Sequence, residues 1–334
     1  MSDPRLAAGR IQVRKRWSSS PSPSSHRDAV SYPLALRTTT YEPWKPITGI
    51  FVVLIGGFAA APVVLIPVLA VAVGLQGGDG SFGHRLQEAL NGSPATPASM
   101  LYLNLSLAAL ALVAIIVLRR VHGLPLSWLF SVMPGVRWRF FWVCAGFACF
   151  ALLAAMAVSA LLPRDPVAVG GTARFPTGQL LATTVVILLT TPLQALGEEC
   201  AFRGYLMQAF GSLSRSRIVG LIGTATLFAL AHGLQNAPLF LDRFAFGLMA
   251  GGVVILTGGL EAGIALHVLN NLGAFGLAIA FGRLDAELGV TSATWWQIPV
   301  TLTENGVFLV LVLIAARRMG ISNVTLPATS PREE

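Results

Sequence analysis

Charge is what this 334-residue chain has least of: Asp, Glu, Lys and Arg make up 11% of it, whereas 54% is hydrophobic. Soluble domains carry about 25% charged residues, so the scarcity excludes an ordinary water-soluble globule and predicts an integral membrane protein. Acid is the scarcer sign, with 15 acidic against 23 basic residues and a net charge of +8. That excess does not point to nucleic acid. The basic residues lie in a Ser/Pro-rich N-terminal stretch and at the ends of apolar runs, where membrane orientation accounts for them. Cysteine is nearly absent. Cys144 and Cys149 fall within one apolar run and Cys200 beside a pair of glutamates, an odd set that excludes a disulfide framework and has no zinc-knuckle spacing. Cys200 reads first as a small buried hydrophobe, with a thiol nucleophile as the alternative. An HExxH zinc-protease motif is missing, and no internal repeat of the kind that marks inverted-topology transporters is visible.

What the chain does have is a series of apolar runs. Residues 1–43 carry Arg5, Arg10, Arg14, Lys15, Arg16, Arg27 and Arg37 around WSSSPSPSSHR and are expected to be a disordered basic cytoplasmic tail. The run that follows, 47–75, is too long for the core of a signal peptide and should span and stay. Further runs cover 99–118, 141–162, a fourth from Gln179, then 218–234, 239–257, 260–281, and an eighth from about Trp296 to Arg317 and Arg318. The expected fold is all-α, a polytopic membrane bundle of about eight transmembrane helices. Spans one to three fill residues 44–175, spans four to eight fill 176–320, and 321–334 form a short cytoplasmic tail. Arg119, Arg120, Arg137 and Arg139 lie between spans two and three with no acid among them, whereas Arg164, Asp165 and Arg174 follow span three. That asymmetry places both termini and the 119–139 loop in the cytoplasm, with Trp295 and Trp296 in the outer interfacial belt. Pro62, Pro67 and Pro192 fall inside spans and should mark bends.

The fourth run ends in charge: residues 183–205 read TTVVILLTTPLQALGEECAFRGY. An ionisable side chain at the centre of a membrane helix costs about 2.5–3.5 kcal/mol on insertion scales and normally faces a bundle interior or a cavity. Glu199 and Arg203 are spaced i, i+4 with the acid first, the better orientation for an ion pair, and are expected to be structural. Glu198 points about 100° away, has Phe202 one turn on, and is left as the free carboxylate. Later spans add Phe228-Ala-Leu-Ala-His232 and His267-Val-Leu-Asn-Asn271, the latter pair one turn apart on one face. If the fourth helix continues to about Phe210, then at 1.5 Å per residue Glu198, His232 and Asn271 lie roughly 18, 24 and 17 Å from the cytoplasmic turns, in one stratum of the membrane. Asp242 with Arg243 and Glu304 with Asn305 are also polar at depth and read as bundle packing or outer-vestibule groups.

EExxxR at 198–203, FxxxH at 228–232 and HxxxN at 267–271 together resemble the CAAX prenyl protease family, the type II CAAX prenyl endopeptidases, and more broadly the CPBP intramembrane proteases of bacteria. The resemblance covers about 179–281. It implies endoproteolysis in a cavity open to the cytoplasm, in a bacterial plasma membrane, on a membrane-embedded or lipid-anchored protein or peptide. By position, Glu198 and His232 would activate water, His267 and Asn271 would bind the oxyanion, Phe228 would wall the cavity, and Glu199 with Arg203 would be structural. Amide hydrolysis needs a base, oxyanion donors and an acid for the leaving amine, and these residue types supply them without a cofactor. The alternative is Zn2+ held by Glu198, His232 and His267. Outside hydrolysis, the rivals are a non-catalytic regulator or immunity-type scaffold on the same fold and, as a lesser one, a transporter built on the same intramembrane polar groups.

Overall fold

The computed structural model describes residues 29–133, 135–163 and 178–325, and all its extended elements are helical. Eight apolar helices succeed one another: α1 (Trp44–Gln76), α2 (Pro97–Arg120), α3 (Trp138–Leu161), α4 (Gly178–Ser214), α5 (Arg217–Ala231), α6 (Ala237–Thr257), α7 (Glu261–Ala280) and α8 (Gln297–Arg318). Seven are long and apolar enough to cross a membrane; α5, the expected fifth span, has only 15 residues. At 1.5 Å per residue it reaches about 22 Å, against a hydrocarbon core of about 30 Å. The all-α membrane bundle expected from hydropathy is therefore present, as seven full spans and a short one. Lipid-facing side chains such as Val64, Leu161 and Leu189 remain exposed, as they must where the solvent is hydrocarbon.

Local chemistry sets the helix ends. Thr96 and Ser99 form a reciprocal capping box at the start of α2, with Pro97 in the first turn, and Arg119 and Arg120 close its last turn, where cations complement the helix dipole. α4 runs on past its apolar part, as the depth argument required, and stops at Arg215 in the left-handed conformation (φ 58°). Ser216 caps α5 through Val219 N, and Asn236 caps α6 through Leu239 N.

The connections gather into two rims. On one, Val132 N donates to Gly258 O (2.8 Å), Leu260 N to Phe130 O (2.9 Å), Thr325 N to Val30 O (2.9 Å) and Arg37 Nε to Ser212 O (2.8 Å). A partly buried ion pair, Arg137 Nη2 to Glu261 Oε2 at 2.6 Å, locks the same rim. On the other, Asn236 N donates to Thr291 O (3.0 Å), Asn236 Nδ2 to Ala293 O (2.8 Å), and Ala95 N to the Asp285 carboxylate. Residues 29–43, expected to end a disordered tail, are folded onto the first rim. Tyr32 is fully buried and its hydroxyl donates to Leu129 O. One large aromatic anchors a stretch whose Ser/Pro/Arg-rich neighbourhood hides it from a compositional reading. The remainder of that tail (1–28), the end of the C-terminal tail (326–334), and Arg164, Asp165 and Arg174 lie outside the described residues.

α2 and α4 form the tightest seam. Asn104 Nδ2 donates to Thr190 Oγ1 (2.7 Å) and Thr191 Oγ1 (3.2 Å) across it, the type of interhelical polar contact that holds helices together in lipid. Immediately before the glutamates, Gly197 meets the backbone of α2, where a Cβ would stand 2.2 Å from Leu107 O. A carbonyl cannot step aside as a side chain can. Gly197→Ala should therefore separate the helices and cost about 1–3 kcal/mol, the range for overpacking, read as a lower melting temperature in detergent. Gly146→Ala, which meets nothing within 4 Å, should melt as the wild type does.

Candidate active site

α4 carries the charges at the point where its hydrogen bonding changes. After Glu199 the helix widens into a π-helical turn over Cys200–Leu206, an irregularity that recurs at functional sites because it re-aims side chains without ending the helix. Pro192, two turns upstream of Glu199, loosens the same helix by leaving one carbonyl without its N–H donor. Glu198, Glu199 and Arg203 are all buried in the bundle, Glu199 completely.

Two carboxylates and one guanidinium then meet a single imidazole. Arg203 Nη1 lies 2.9 Å from Glu199 Oε1, an i, i+4 ion pair. His267 Nδ1 lies 2.8 Å from the same oxygen, and His267 Nε2 lies 3.2 Å from Glu198 Oε2. Glu198 is thus not a free carboxylate, nor does Glu199 serve Arg203 alone: the two adjacent acids reach opposite edges of one ring. Close approach of α7 permits it, because a Cβ on Gly263, one turn before His267, would stand 2.9 Å from Glu199 Oε2. A neutral imidazole has one N–H and one lone pair. Carboxylates at both nitrogens can be satisfied only if the ring holds two protons or if one acid holds the second. Glu198 and His267 therefore share a proton, while Glu199 is balanced by Arg203.

Phenylalanines box the cation. The Arg203 guanidinium carbon lies 4.1 Å from the centroid of the Phe228 ring and 5.7 and 6.0 Å from those of Phe246 and Phe202, a desolvated setting in which cation–π attraction reaches about 2 kcal/mol. Phe228 also stands edge-on to His232 and His267, with ring centroids 4.8 and 5.9 Å away, so this expected cavity wall fixes two imidazoles as well. His232 caps α5 and donates from Nδ1 to Phe228 O at 2.8 Å, which leaves Nε2 as the lone-pair nitrogen when the ring is neutral. Asn271 Nδ2 donates to Gln194 Oε1 at 3.0 Å, and Gln194 lines the same cavity as Glu198. Gln194 is the site residue that the sequence reading missed. It lies four residues before Glu198, the spacing that puts both on one helix face, but a single glutamine in an apolar run drew no notice.

A cavity of about 540 Å3 opens above this network. Glu198, His267, Gln194 and Asn271 line its floor, with His232 beside them, and Asp242, Arg243, Glu304 and Asn305 form its far wall. The groups read as packing or outer vestibule therefore face the same space. Glu287 stands at the mouth, where burial raises its carboxyl above the ordinary value while Arg243 and Arg283 oppose the rise. Every connecting segment that lines the cavity belongs to the rim of 232–236 and 281–296. The resemblance implied a mouth on the cytoplasmic side, and the loop charges put the 119–139 loop on that side. Both cannot hold, because that loop forms the opposite rim.

The zinc set does not converge. No group of three or more His, Cys, Asp and Glu side chains among the described residues is placed to hold a metal ion, and both nitrogens of His267 are already turned to carboxylates.

Fold and site together define a multi-pass membrane protein with a carboxylate–imidazole cluster beneath a polar cavity. Residues 179–273 match the protease family described as type II CAAX prenyl endopeptidase Rce1-like, which is the family that the three motifs resemble, and all three lie within the matched segment. A Bacillus subtilis (strain 168) relative, the uncharacterized protein YyaK, is 29% identical over 99 residues, which is 28% of this chain and 32% of that protein. The chain thus matches about a third of that relative's length. No solved structure matches.

Breaking the buried pair from one side should be costly. Arg203→Met leaves Glu199 facing His267 without its guanidinium and should lower stability by about 3–5 kcal/mol, measured by thermal unfolding in detergent. Adding Glu199→Gln to that variant should recover a large part of the loss, since no unpaired charge then remains.

Proposed function

We propose that the protein is an intramembrane endopeptidase that cleaves a membrane-embedded or lipid-anchored polypeptide with water activated by Glu198. The observation that carries the reading is the clamp of His267 between Glu198 and Glu199 beneath a polar cavity in an apolar bundle. Buried charge in a membrane is expensive, and here it is arranged as a proton-sharing pair next to open volume. The match of residues 179–273 to a protease family supports the same reaction class.

In the proposed cycle Glu198 takes a proton from water as the water oxygen bonds to the scissile carbonyl carbon. Asn271 Nδ2 has a second N–H beyond the one given to Gln194, and that hydrogen meets the developing oxyanion. His267 was assigned to the oxyanion by resemblance, but with a carboxylate at each nitrogen it acts better as the partner that shares and returns the Glu198 proton. His232, with Nε2 unengaged by its own backbone, orients the water by accepting one of its hydrogens, or takes up the proton that Glu198 drew from the water and passes it to the leaving amine as the C–N bond breaks. Glu199 and Arg203 hold His267 in place. No metal enters these steps. The setting is a bilayer, in the reading a bacterial plasma membrane, and nucleic acid has no part in it.

Glu198→Gln keeps the shape and removes the base, so uncleaved substrate should accumulate when membrane proteomes of cells making wild type or variant are compared. Identical proteomes would overturn the endopeptidase reading and leave a scaffold on the same fold. On an isolated substrate, Asn271→Ala should lower turnover about 10²–10³-fold, the range for an oxyanion donor, with the melting temperature retained. Turnover should also survive a strong chelator; loss with the chelator and rescue by Zn2+ would replace the glutamate mechanism.

A further inference from the structure

The two rims differ in charge as well as in sequence. Arg119 and Arg120 end α2, Arg139 lies in the first turn of α3, and Arg317 and Arg318 end α8, all on the rim that holds residues 29–43 and the 121–137 loop. Arg215 and Arg217, at the turn between α4 and α5, join them on that rim. Lys45 is beside Glu42 there, and Arg137 is neutralised by Glu261. On the other rim, Asp79, Glu88, Asp285 and Glu287 outnumber Arg85 and Arg283 in the described connections. Lys and Arg in short connections stay on the cytoplasmic side, so the arginine-rich rim faces the cytoplasm. The cavity opens through the other rim: its lining climbs from Glu198 and His267 to Val290, Ser292, Ala293 and Thr294, and includes no connection from the arginine-rich side. The shortness of α5 widens the mouth, since it ends at His232 and Gly233 (φ 80°) while its neighbours α6 and α7 are 21 and 20 residues long.

The wall facing the catalytic cluster says what should enter. Asn305 is 6% exposed, and its Nδ2 has no hydrogen-bond partner; Glu304 Oε1 is buried and equally unpaired. Both residues line the cavity. A donor and an acceptor left open side by side suit a peptide backbone, which offers one of each per residue, whereas a hydrocarbon or isoprenoid chain would leave both unsatisfied.

We infer that the cavity admits an extended peptide segment from the extracytoplasmic side, and that its substrates are the outward-facing, membrane-proximal parts of anchored polypeptides rather than cytosolic prenylated C-termini. The word substrate rests on the endopeptidase reading; the side of entry does not.

Single cysteines test the side of entry without any turnover. Ser292→Cys at the mouth and Asn91→Cys on the same rim are compared with Ser214→Cys and Thr40→Cys on the opposite rim, all four positions being exposed. A membrane-impermeant maleimide applied to right-side-out vesicles should label the first two above the wild-type background and leave the second two unlabelled. Inside-out vesicles should reverse the pattern. A permeant maleimide should label all four and so shows that each variant is folded and reachable. Labelling of Ser214→Cys and Thr40→Cys, but not the other pair, in right-side-out vesicles would overturn the inference and open the cavity to the cytoplasm, with the endopeptidase reading untouched. For the wall, Asn305→Leu should raise KM for a peptide substrate at least 5-fold with kcat and melting temperature little changed. An unchanged KM would remove the peptide-binding role of that wall.

Discussion

The structure depends on placing two adjacent carboxylates in the interior of a membrane bundle. An isolated ion there would cost several kcal/mol, so Glu199 must be compensated before anything else can be built, and Arg203 does this from the next turn of the same helix. The arginine then has to be desolvated in turn, which three phenylalanines from α4, α5 and α6 accomplish. That enclosure is why α5 and α6 close against α4 at this depth. With Glu199 neutralised, its oxygen is still available to His267, and the imidazole is delivered to Glu198 already oriented. Compensation of charge and construction of the site are the same set of contacts.

Small residues make the contacts reachable. Gly197 lets α2 touch the backbone of α4, and Gly263 lets α7 approach the Glu199 carboxylate. Without the first, α4 could not sit against the Asn104 clamp; without the second, His267 would be held away from its acid. In lipid there is no hydrophobic force to bring helices together, so close backbone approach and interhelical hydrogen bonds do that part. The π-helical turn beginning at Cys200 adds the last adjustment by changing the direction in which the following residues, Arg203 among them, leave the helix.

Much of this was legible in the chain. Apolar runs fixed the helices to within a few residues, because hydrocarbon tolerates no other backbone, and the i, i+4 rule foretold which residue would face Glu199. Three things were hidden. The relation of Glu198 to His267 joins residues 69 positions apart, and no local period reports it; helix geometry put Glu198 on a separate face, and the ring between the two acids dissolves that distinction. Gln194 was hidden by its apolar neighbours. The mouth was the third: depth reckoned along each helix sets a stratum but not a direction of access, and its cytoplasmic placement came from the resemblance alone. α5 stops short, and that direction depends on which helix falls short of the membrane surface.

The length of α5 also bears on how the cavity grades in polarity toward Glu198. If α5 starts at the level of the arginine-rich rim, its length of about 22 Å ends it about 8 Å below a hydrocarbon boundary about 30 Å away. His232 stands at that end, so the first imidazole met from the mouth is the one whose Nε2 is not engaged by its own backbone. Glu198 and His267 lie deeper, and Glu199 with Arg203 deeper still and closed behind the phenylalanines. Polarity therefore falls along the path from a solvated mouth, past a histidine, to a shared proton and then to a sealed ion pair. Such a gradient leaves Glu198 facing the cavity and the Glu199–Arg203 pair enclosed behind it, beside the imidazole that the pair positions.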